Sequence, residues 1–453
     1  MPEEPMVTQP QLDRDAELDA LQLHVERALE RAKKAGASAA EASAYASQGL
    51  SVTVRLGQVE TLEHMQDRGI SVSVLMGRRK GHATSADLGQ NSIESCVDKA
   101  LEIARYTQED PCNGLADKKL LATQFPDLDI WHPAVMDAQA AIKRALLCEE
   151  AGREEALITN SEGASFDAGL GMGVYGNTHG FIGRSAGTRF DQSCVLIAGK
   201  GANMQRDYSY DSRRDLAELE APAITGREAA RRTVRRLGAK KLQTGNMSVL
   251  LAPEVAKSLI GHLVSAISGS ALYRNASFLK GAAGQAVFPD WVRLAERPYL
   301  LRGSGSASFD GEGVATRERD IVADGILQGY VLSCYSARRL GLQTTGNSGG
   351  VRNLLMQPGG KNFADLVNEM HSGFLVTEVM GQGVNLVTGD YSRGASGFMV
   401  ANGEISYPVE EVTIAGNLRD IFLDLTAAGA DLDTRGNVHC GSVLVDHLIV
   451  AGA

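Results

Sequence analysis

Asn402-Gly403 lies between two apolar runs, and few short sequences constrain a fold so tightly. A two-residue type I′ turn needs positive φ at both central positions, which these residue types supply. The spacing predicts a β-hairpin whose first arm includes the apolar run Phe398 to Val400. The surrounding stretch from Met380 to Leu423 places Gly381, Gly383, Gly389, Gly394 and Gly397 ahead of the turn, and a second strand and a short helix behind it. Glycine inside a strand pattern marks either curvature and bulging or the close approach of another backbone or a ligand, since a Cβ would be in the way. Both readings stand at this level.

The rest of the chain must supply a scaffold for that hairpin, and its composition allows one. With 453 residues, 43% of them hydrophobic and 22% charged, there is enough apolar material for two or three cores. The acidic, proline-containing start (MPEEPMVTQPQLDRDAELD) does not read as a signal peptide, and no apolar run approaches a membrane span. A cytosolic protein with no membrane association is expected. Six dispersed cysteines (Cys96, Cys112, Cys148, Cys194, Cys334, Cys440) without a C-x-x-C pair fit reduced thiols better than disulfides or a zinc ribbon. A net charge of −10 disfavours a nucleic-acid protein.

Taken in order, the pattern predicts an α+β protein: an N-terminal α/β sandwich-like domain, a strand-rich middle segment and a β-rich C-terminal domain with a long helix. Residues 1–12 read as a disordered lead-in. Residues 13–110 form the first domain, with a helix from Ala16 carrying Leu18, Leu21, Val25, Leu29 and Ala32, alternating strands around Val52 and Val72, and a helix from about Ser92 to Tyr106. Residues 111–240 form the second, with a helix through Ile142, short strands to Arg206 and a basic helix bearing Arg227, Arg231, Arg232, Arg235 and Arg236. A solvated face or a docking surface for an acidic partner suits that helix better than phosphate binding. Two motifs carry little weight. Gly171, Gly173 and Gly176 match G-x-G-x-x-G but open no helix. Gly183 to Gly187 match G-x-S-x-G around Ser185 without a strand-to-helix elbow, and read as a hairpin turn.

The third domain, 241–453, starts with a strand (Met247 to Leu251) and a helix opened by Pro253, whose apolar face is Val255, Leu259, Ile260, Leu263, Val264 and Ile267. Its blocks FDGEGVATRERDIVADG (Phe309 to Gly325), CYSARRL (Cys334 to Leu340), TTGNSGGVRN (Thr344 to Asn353), TGDYSRGASGF, IAGNLRDIF and the closing GSVLVDHLIVAG closely resemble, in order and spacing, the PmbA/TldE branch of the TldD/PmbA family. The resemblance covers nearly the whole chain.

That resemblance implies a metalloprotease-family subunit. In the TldD branch the corresponding helix carries H-E-x-x-x-H, two imidazoles binding zinc and the glutamate activating water, with a late cysteine as third ligand. Here the helix reads LIGHLVSAISG. With its Gly-His pair over the family's His-Glu pair, Gly261 and Ala266 stand at the ligand positions and His262 at the glutamate. Cys440, flanked by His439 and His447, falls near the late cysteine. The expected cofactor content is none in this chain, with zinc in the partner subunit. The implied function is that of TldE, the metal-free partner of a zinc-bearing TldD-like subunit, the two enclosing a cleft for proteolysis of unfolded peptide in peptide maturation and antitoxin degradation. The chain is expected to be inactive alone, and to associate through its C-terminal domain, as a homodimer when alone. The peptide-cleft residues on this reading are Gly383, Asn385, Asp390, Tyr391, Ser392, Gly394 and Gly397, lining a strand edge to which an extended peptide adds. The alternative is a non-enzymatic scaffold that regulates a partner such as DNA gyrase.

Overall fold

The structure, a computed structural model, describes residues 13–134 and 137–452. The expected lead-in at 1–12 lies outside the described residues. Two compact units are present, one built from the chain up to Ile197 with Asp207–Arg232 and Gly311–Ala315, the other from Ala198–Arg206, Thr233–Asp310 and Thr316–Ala453.

In the first unit the chain runs α1 (Arg14–Lys34), β1 (Ala39–Arg55), β2 (Gln58–Met76), β3 (Arg79–Ser85), α2 (Gln90–Tyr106), α3 (Ala138–Arg153), β4 (Ile158–Asn177), β5 (Ile182–Ala198), β6 (Gln205–Arg213) and α4 (Pro222–Arg235). All six strands join in one sheet, β3-β2-β1-β4-β5-β6. The divide drawn at 110 therefore cuts through a continuous sheet, because β1 pairs with β4 from Glu41↔Asn177 to Val54↔Ala164. Even-numbered residues of β1 (Ala40, Ala42, Ala44, Leu50, Val52, Val54) are buried under the helices, and the polar odd-numbered ones lie on the opposite face. Helices α1 and α2 cover one end of that face, α3 and α4 the other.

The strands of the middle segment are long, not short. β4 and β5 are 20 and 17 residues, and both motifs set aside above lie inside them. Ser185 lies near the start of β5, with its hydroxyl donating to the Gly173 carbonyl at 3.4 Å; the expected hairpin turn at Gly183 to Gly187 is replaced by extended chain.

The second unit continues with β7 (Gly245–Leu251), α5 (Pro253–Ala266), α6 (Gly269–Tyr273), β8 (Leu294–Glu296), β9 (Arg319–Ala323), β10 (Ile326–Leu327), α7 (Cys334–Leu340), β11 (Leu354–Met356), α8 (Phe363–Met370), β12 (Gly373–Met380), β13 (Asp390–Ala401), β14 (Glu404–Asn417), α9 (Leu418–Leu423), β15 (Leu425–Ala428), β16 (Val438–His439) and β17 (Val443–Ala451). A five-stranded sheet runs β10-β9-β8-β11-β16 and a six-stranded one β14-β13-β12-β7-β17-β15, with β14 also pairing β17. Helix α5 joins residues of both sheets in a single core, including Leu294 and Ile321 from one and Val249, Phe374 and Val445 from the other. The hairpin turn is as read from sequence, with φ 56° at Asn402 and 75° at Gly403.

The glycine-rich strand is not an edge. β13 pairs with β12 on one side (Gly394↔Met380, Gly397↔Val376) and with β14 on the other (Gly394↔Thr413, Gly397↔Val409). Both rows of backbone groups are taken, so an added peptide strand finds no partners there. Register shifts on both sides of Gly397 show why glycine stands at that position: a Cβ would lie 1.9 Å from the Leu375 carbonyl oxygen. The close backbone approach inferred from sequence is real, and the approaching backbone is the chain's own.

Candidate functional site

Helix α5 organises the site. Pro253 at its first turn needs no intrahelical donor, and Val255, Ala256, Leu259, Ile260, Leu263 and Ala266 recur at helical spacing, each at most 3% exposed. The residues between these positions meet two polar neighbourhoods.

The first is around His262. Its ring meets Tyr391 of β13 edge-on, with centroids 5.9 Å apart and planes at 70°. Its Nε2 is buried with no hydrogen-bond partner. Burial, then the nearby Arg393 charge, lowers the imidazole pKa, and burial pushes the Tyr391 phenol up to about 12. This is an aromatic pair in which burial favours the neutral form of the imidazole.

The second lies one turn earlier. Lys257 Nζ sits 2.6 Å from Asp433 and donates to the Arg435 carbonyl at 2.6 Å; the Arg435 guanidinium bonds Asp433 at 2.8 Å and Glu254 at 3.2 Å. Burial works against the Asp433 carboxylate, yet hydrogen bonds from Arg435 and Lys257 and the Lys257 charge hold it below its ordinary pKa. Burial, the larger influence on Lys257, lowers that ammonium despite Asp433. This cluster ties α5 to the segment leading into Cys440.

Cys440 itself is fully buried, its Sγ directed at the Met356 sulfur (3.5 Å) and the Gly441 carbonyl (3.2 Å), and burial raises its thiol to about 12. Metal binding needs the thiolate. His439 is also buried, with Nε2 3.1 Å from the Gly436 carbonyl, and its pKa is lowered chiefly by burial. His447 is exposed on β17 beside Asp446. Gly261 has open space where a side chain would start, and Ala266 is buried in the core. Among the described residues no group of three or more His, Cys, Asp or Glu side chains is placed to hold a metal ion. Gly261 and Ala266 carry no donor atoms, and a thiol that burial keeps protonated does not fit zinc.

The expected cleft residues form a closed structure. Gly383 packs its backbone on Ser392, which donates its N–H to Gly383 O at 2.7 Å, and Val384 bridges to Tyr391. Asn385 takes the Val387 N–H on its side chain and donates its own N–H to the Asp390 carbonyl, while Asp390 accepts from Thr388 and Asn417. Tyr391 is buried; Ser392 is exposed. The segment from Gly383 to Gly389 is thus a loop folded back on the start of β13, with most of its polar groups used internally.

Sequence reasoning missed another cluster. Glu296, 2% exposed, accepts from Arg319 (2.8 Å), Asn347 (2.7 Å) and the Arg352 N–H (2.6 Å), and Asn353 links Arg297, Ser306 and Asn437. The blocks that carry the resemblance at Phe309 to Gly325 and Thr344 to Asn353 thus build a buried polar network across the five-stranded sheet. Polar residues dense in glycine-rich blocks were its only signal.

The basic helix is also spent internally. In the first unit Arg231 pairs with Glu228 and Arg232 with Asp207; in the second Arg236 pairs with Glu378 and Lys241 with Glu411, while Arg235 and Lys240 lie over Phe398 and Tyr407.

Residues 40–104, 131–237 and 244–452 match, in order, PmbA/TldA metallopeptidase domain 1, the central domain and the C-terminal domain. The chain is 45% identical over 439 residues to the metalloprotease PmbA of Escherichia coli O157:H7, covering 97% of each, and 44% identical over 441 residues to the Haemophilus influenzae homologue, covering 96% and 97%. A crystal structure of a Bacteroides thetaiotaomicron protein named as a modulator of DNA gyrase superposes with a TM-score of 0.91 at 28% identity, covering 98% of this chain and all of that one. TldE from Thermococcus kodakarensis shares the fold, with a TM-score of 0.83 at 18% identity over 95% of this chain and all of its own. The chain belongs to the PmbA/TldD metallopeptidase family.

Proposed function

We propose that this chain is the metal-free subunit of a heteromeric metallopeptidase, paired with a zinc-bearing TldD-like subunit and cleaving unfolded peptide. One observation carries the reading: α5 is a buried amphipathic helix with Gly261 and Ala266 at the inferred ligand positions, and Cys440 is enclosed as a thiol. On this reading the helix supplies no ligand pair for zinc, and the chain's contribution is wall and substrate contact. The loop from Gly383 to Gly389 and the start of β13 supply such contact with exposed groups such as Val387 and Ser392, not with a free strand edge. The partner's zinc would supply the activated water. Cytoplasmic residence fits dispersed free cysteines, and no helix among the described residues is long and apolar enough to cross a membrane. The test is elemental analysis and peptide turnover of the chain alone and mixed with a TldD-like protein. One tightly held zinc per chain, lost on Cys440→Ser, sinks the reading.

A further inference from the structure

Two segments of the second unit, 255–289 and 325–364, contain no aspartate or glutamate while carrying seven lysines and arginines, in a chain whose net charge is −10. The fold brings them together at α6 and α7, just beyond the C-terminal end of α5. The Gly269 N–H donates to the Val331 carbonyl at 2.9 Å, and the two helices approach so closely that a Cβ at Gly269 would lie 2.2 Å from Ser336 Oγ. Across this contact the rings of Tyr273 and Tyr335 meet edge-on, with centroids 5.8 Å apart and planes at 79°.

The solvent side of the contact is cationic. The Arg274 guanidinium lies 5.9 Å and the Arg339 guanidinium 5.6 Å from the centre of the same Tyr273 ring. Both arginines are exposed, and both tyrosines are half-buried. Arg274 Nε donates to the Ser270 carbonyl at 2.9 Å, which fixes the side chain and leaves its terminal N–H groups for another acceptor. Among the described residues neither guanidinium meets a carboxylate. Other cations of the chain are treated differently: Arg232, Arg236 and Lys257 meet Asp207, Glu378 and Asp433. Two like charges drawn to one ring repel each other, and a shared anion relieves that repulsion.

We propose that Arg274 and Arg339, held on Tyr273, bind the carboxylate groups of unfolded peptides, so that acidic peptides are the class this chain prefers. A guanidinium presents a planar fork of donors that matches a carboxylate, and arginines already held against a ring lose less freedom on binding than mobile ones. A peptide fits better than a nucleic acid. Single strands are bound by a groove that follows several phosphates and by open aromatic faces on which bases stack. Here there are two guanidinium groups, and the one ring they share is occupied by both of them and by Tyr335. The inference rests on the reading of this chain as a peptide-contacting wall, and adds the charge of what is bound.

The experiment is fluorescence polarisation of the full chain with a labelled, unstructured peptide rich in glutamate and with its glutamine counterpart, each with a free and an amidated C-terminus to separate side-chain from terminal carboxylates. Binding is read without zinc or turnover, so a failure here leaves the test of the heteromer standing, and a failure of the heteromer leaves this one readable. The glutamate peptide should bind at least about tenfold tighter than the glutamine peptide, and the gap should shrink as salt is added. Arg274→Gln combined with Arg339→Gln should remove most of the gap at an unchanged thermal midpoint. Lys118→Gln combined with Lys119→Gln, exposed positions in the first unit, makes the same change in net charge and should leave the gap intact. If the arginine pair cannot be folded, Arg339→Gln alone, which breaks no hydrogen bond among the described residues, should still narrow the gap about threefold. No gap, a gap that survives the arginine substitutions, an equal loss in the lysine variant, or tighter binding of a single-stranded oligonucleotide than of the glutamate peptide, overturns the inference.

Discussion

Burial beside Tyr391 keeps the His262 imidazole below its ordinary pKa, and the consequence is a measurable acid sensitivity. The unfolded chain takes up a proton at histidine near about pH 6.5, whereas the folded site resists it. Stability from this residue is therefore complete above that value and is lost as pH falls through it toward the lowered folded pKa. His262→Phe should show a shallower loss of stability on the acid side of about pH 6.5 in urea titrations, with His24 and His439, also lowered by burial, contributing to what remains; an unchanged slope would contradict a neutral, partnerless imidazole. Asp433 behaves oppositely in range: its pKa is lowered, so its contribution is present above the ordinary carboxylate range and fades below about pH 4. Asp433→Asn leaves the Lys257 ammonium, 14% exposed, without its carboxylate. A loss of about 3–5 kcal/mol is expected from denaturant unfolding at pH 7, and a loss under about 1 kcal/mol would show that the cluster is solvated like a surface pair.

At the scale of elements, β13 is the instructive case. Its hairpin was legible because Asn402-Gly403 encodes its own turn geometry locally. Its place in the sheet was not, because the neighbours that occupy its two edges are set by non-local pairing, including the parallel β12–β7 contact that fixes the row behind it. The same limit hid the length of β4 and β5: Gly169, Gly171, Gly173 and Gly176 look like breakers and are β4 residues paired with Gly49, Ser47, Tyr45 and Ala42 of β1. Helix α5 was legible in full, since a 3.6-residue period needs no partner to be seen. The sealed state of Cys440 was not legible, since its neighbours Met356 and Lys257 are far away in sequence. Gly397→Val should cost at least about 1–3 kcal/mol, because the new side chain meets the Leu375 backbone. Gly394→Ala, whose Cβ would meet only Met380 at 3.6 Å, should change stability by less than about 1 kcal/mol. Equal thermal midpoints for the two variants would mean that the bulge at Gly397 is not what requires glycine.

The whole chain matches the family's three segments in order, and the proposal that it serves as a metal-free subunit rests on the glycine and alanine of α5. Its acidic net charge of −10 and internally paired basic helix leave little to recommend direct binding of nucleic acid. The central claim is that hydrolysis appears only in the heteromer. The direct measurement is turnover of an unstructured peptide by this chain alone, by a zinc-loaded TldD-like protein alone and by the two together, with zinc counted per chain in each. The account predicts no zinc and no turnover for this chain alone, and turnover by the mixture well above that of the partner by itself. Turnover by this chain alone, or a partner whose rate is unchanged when this chain is added, would contradict it.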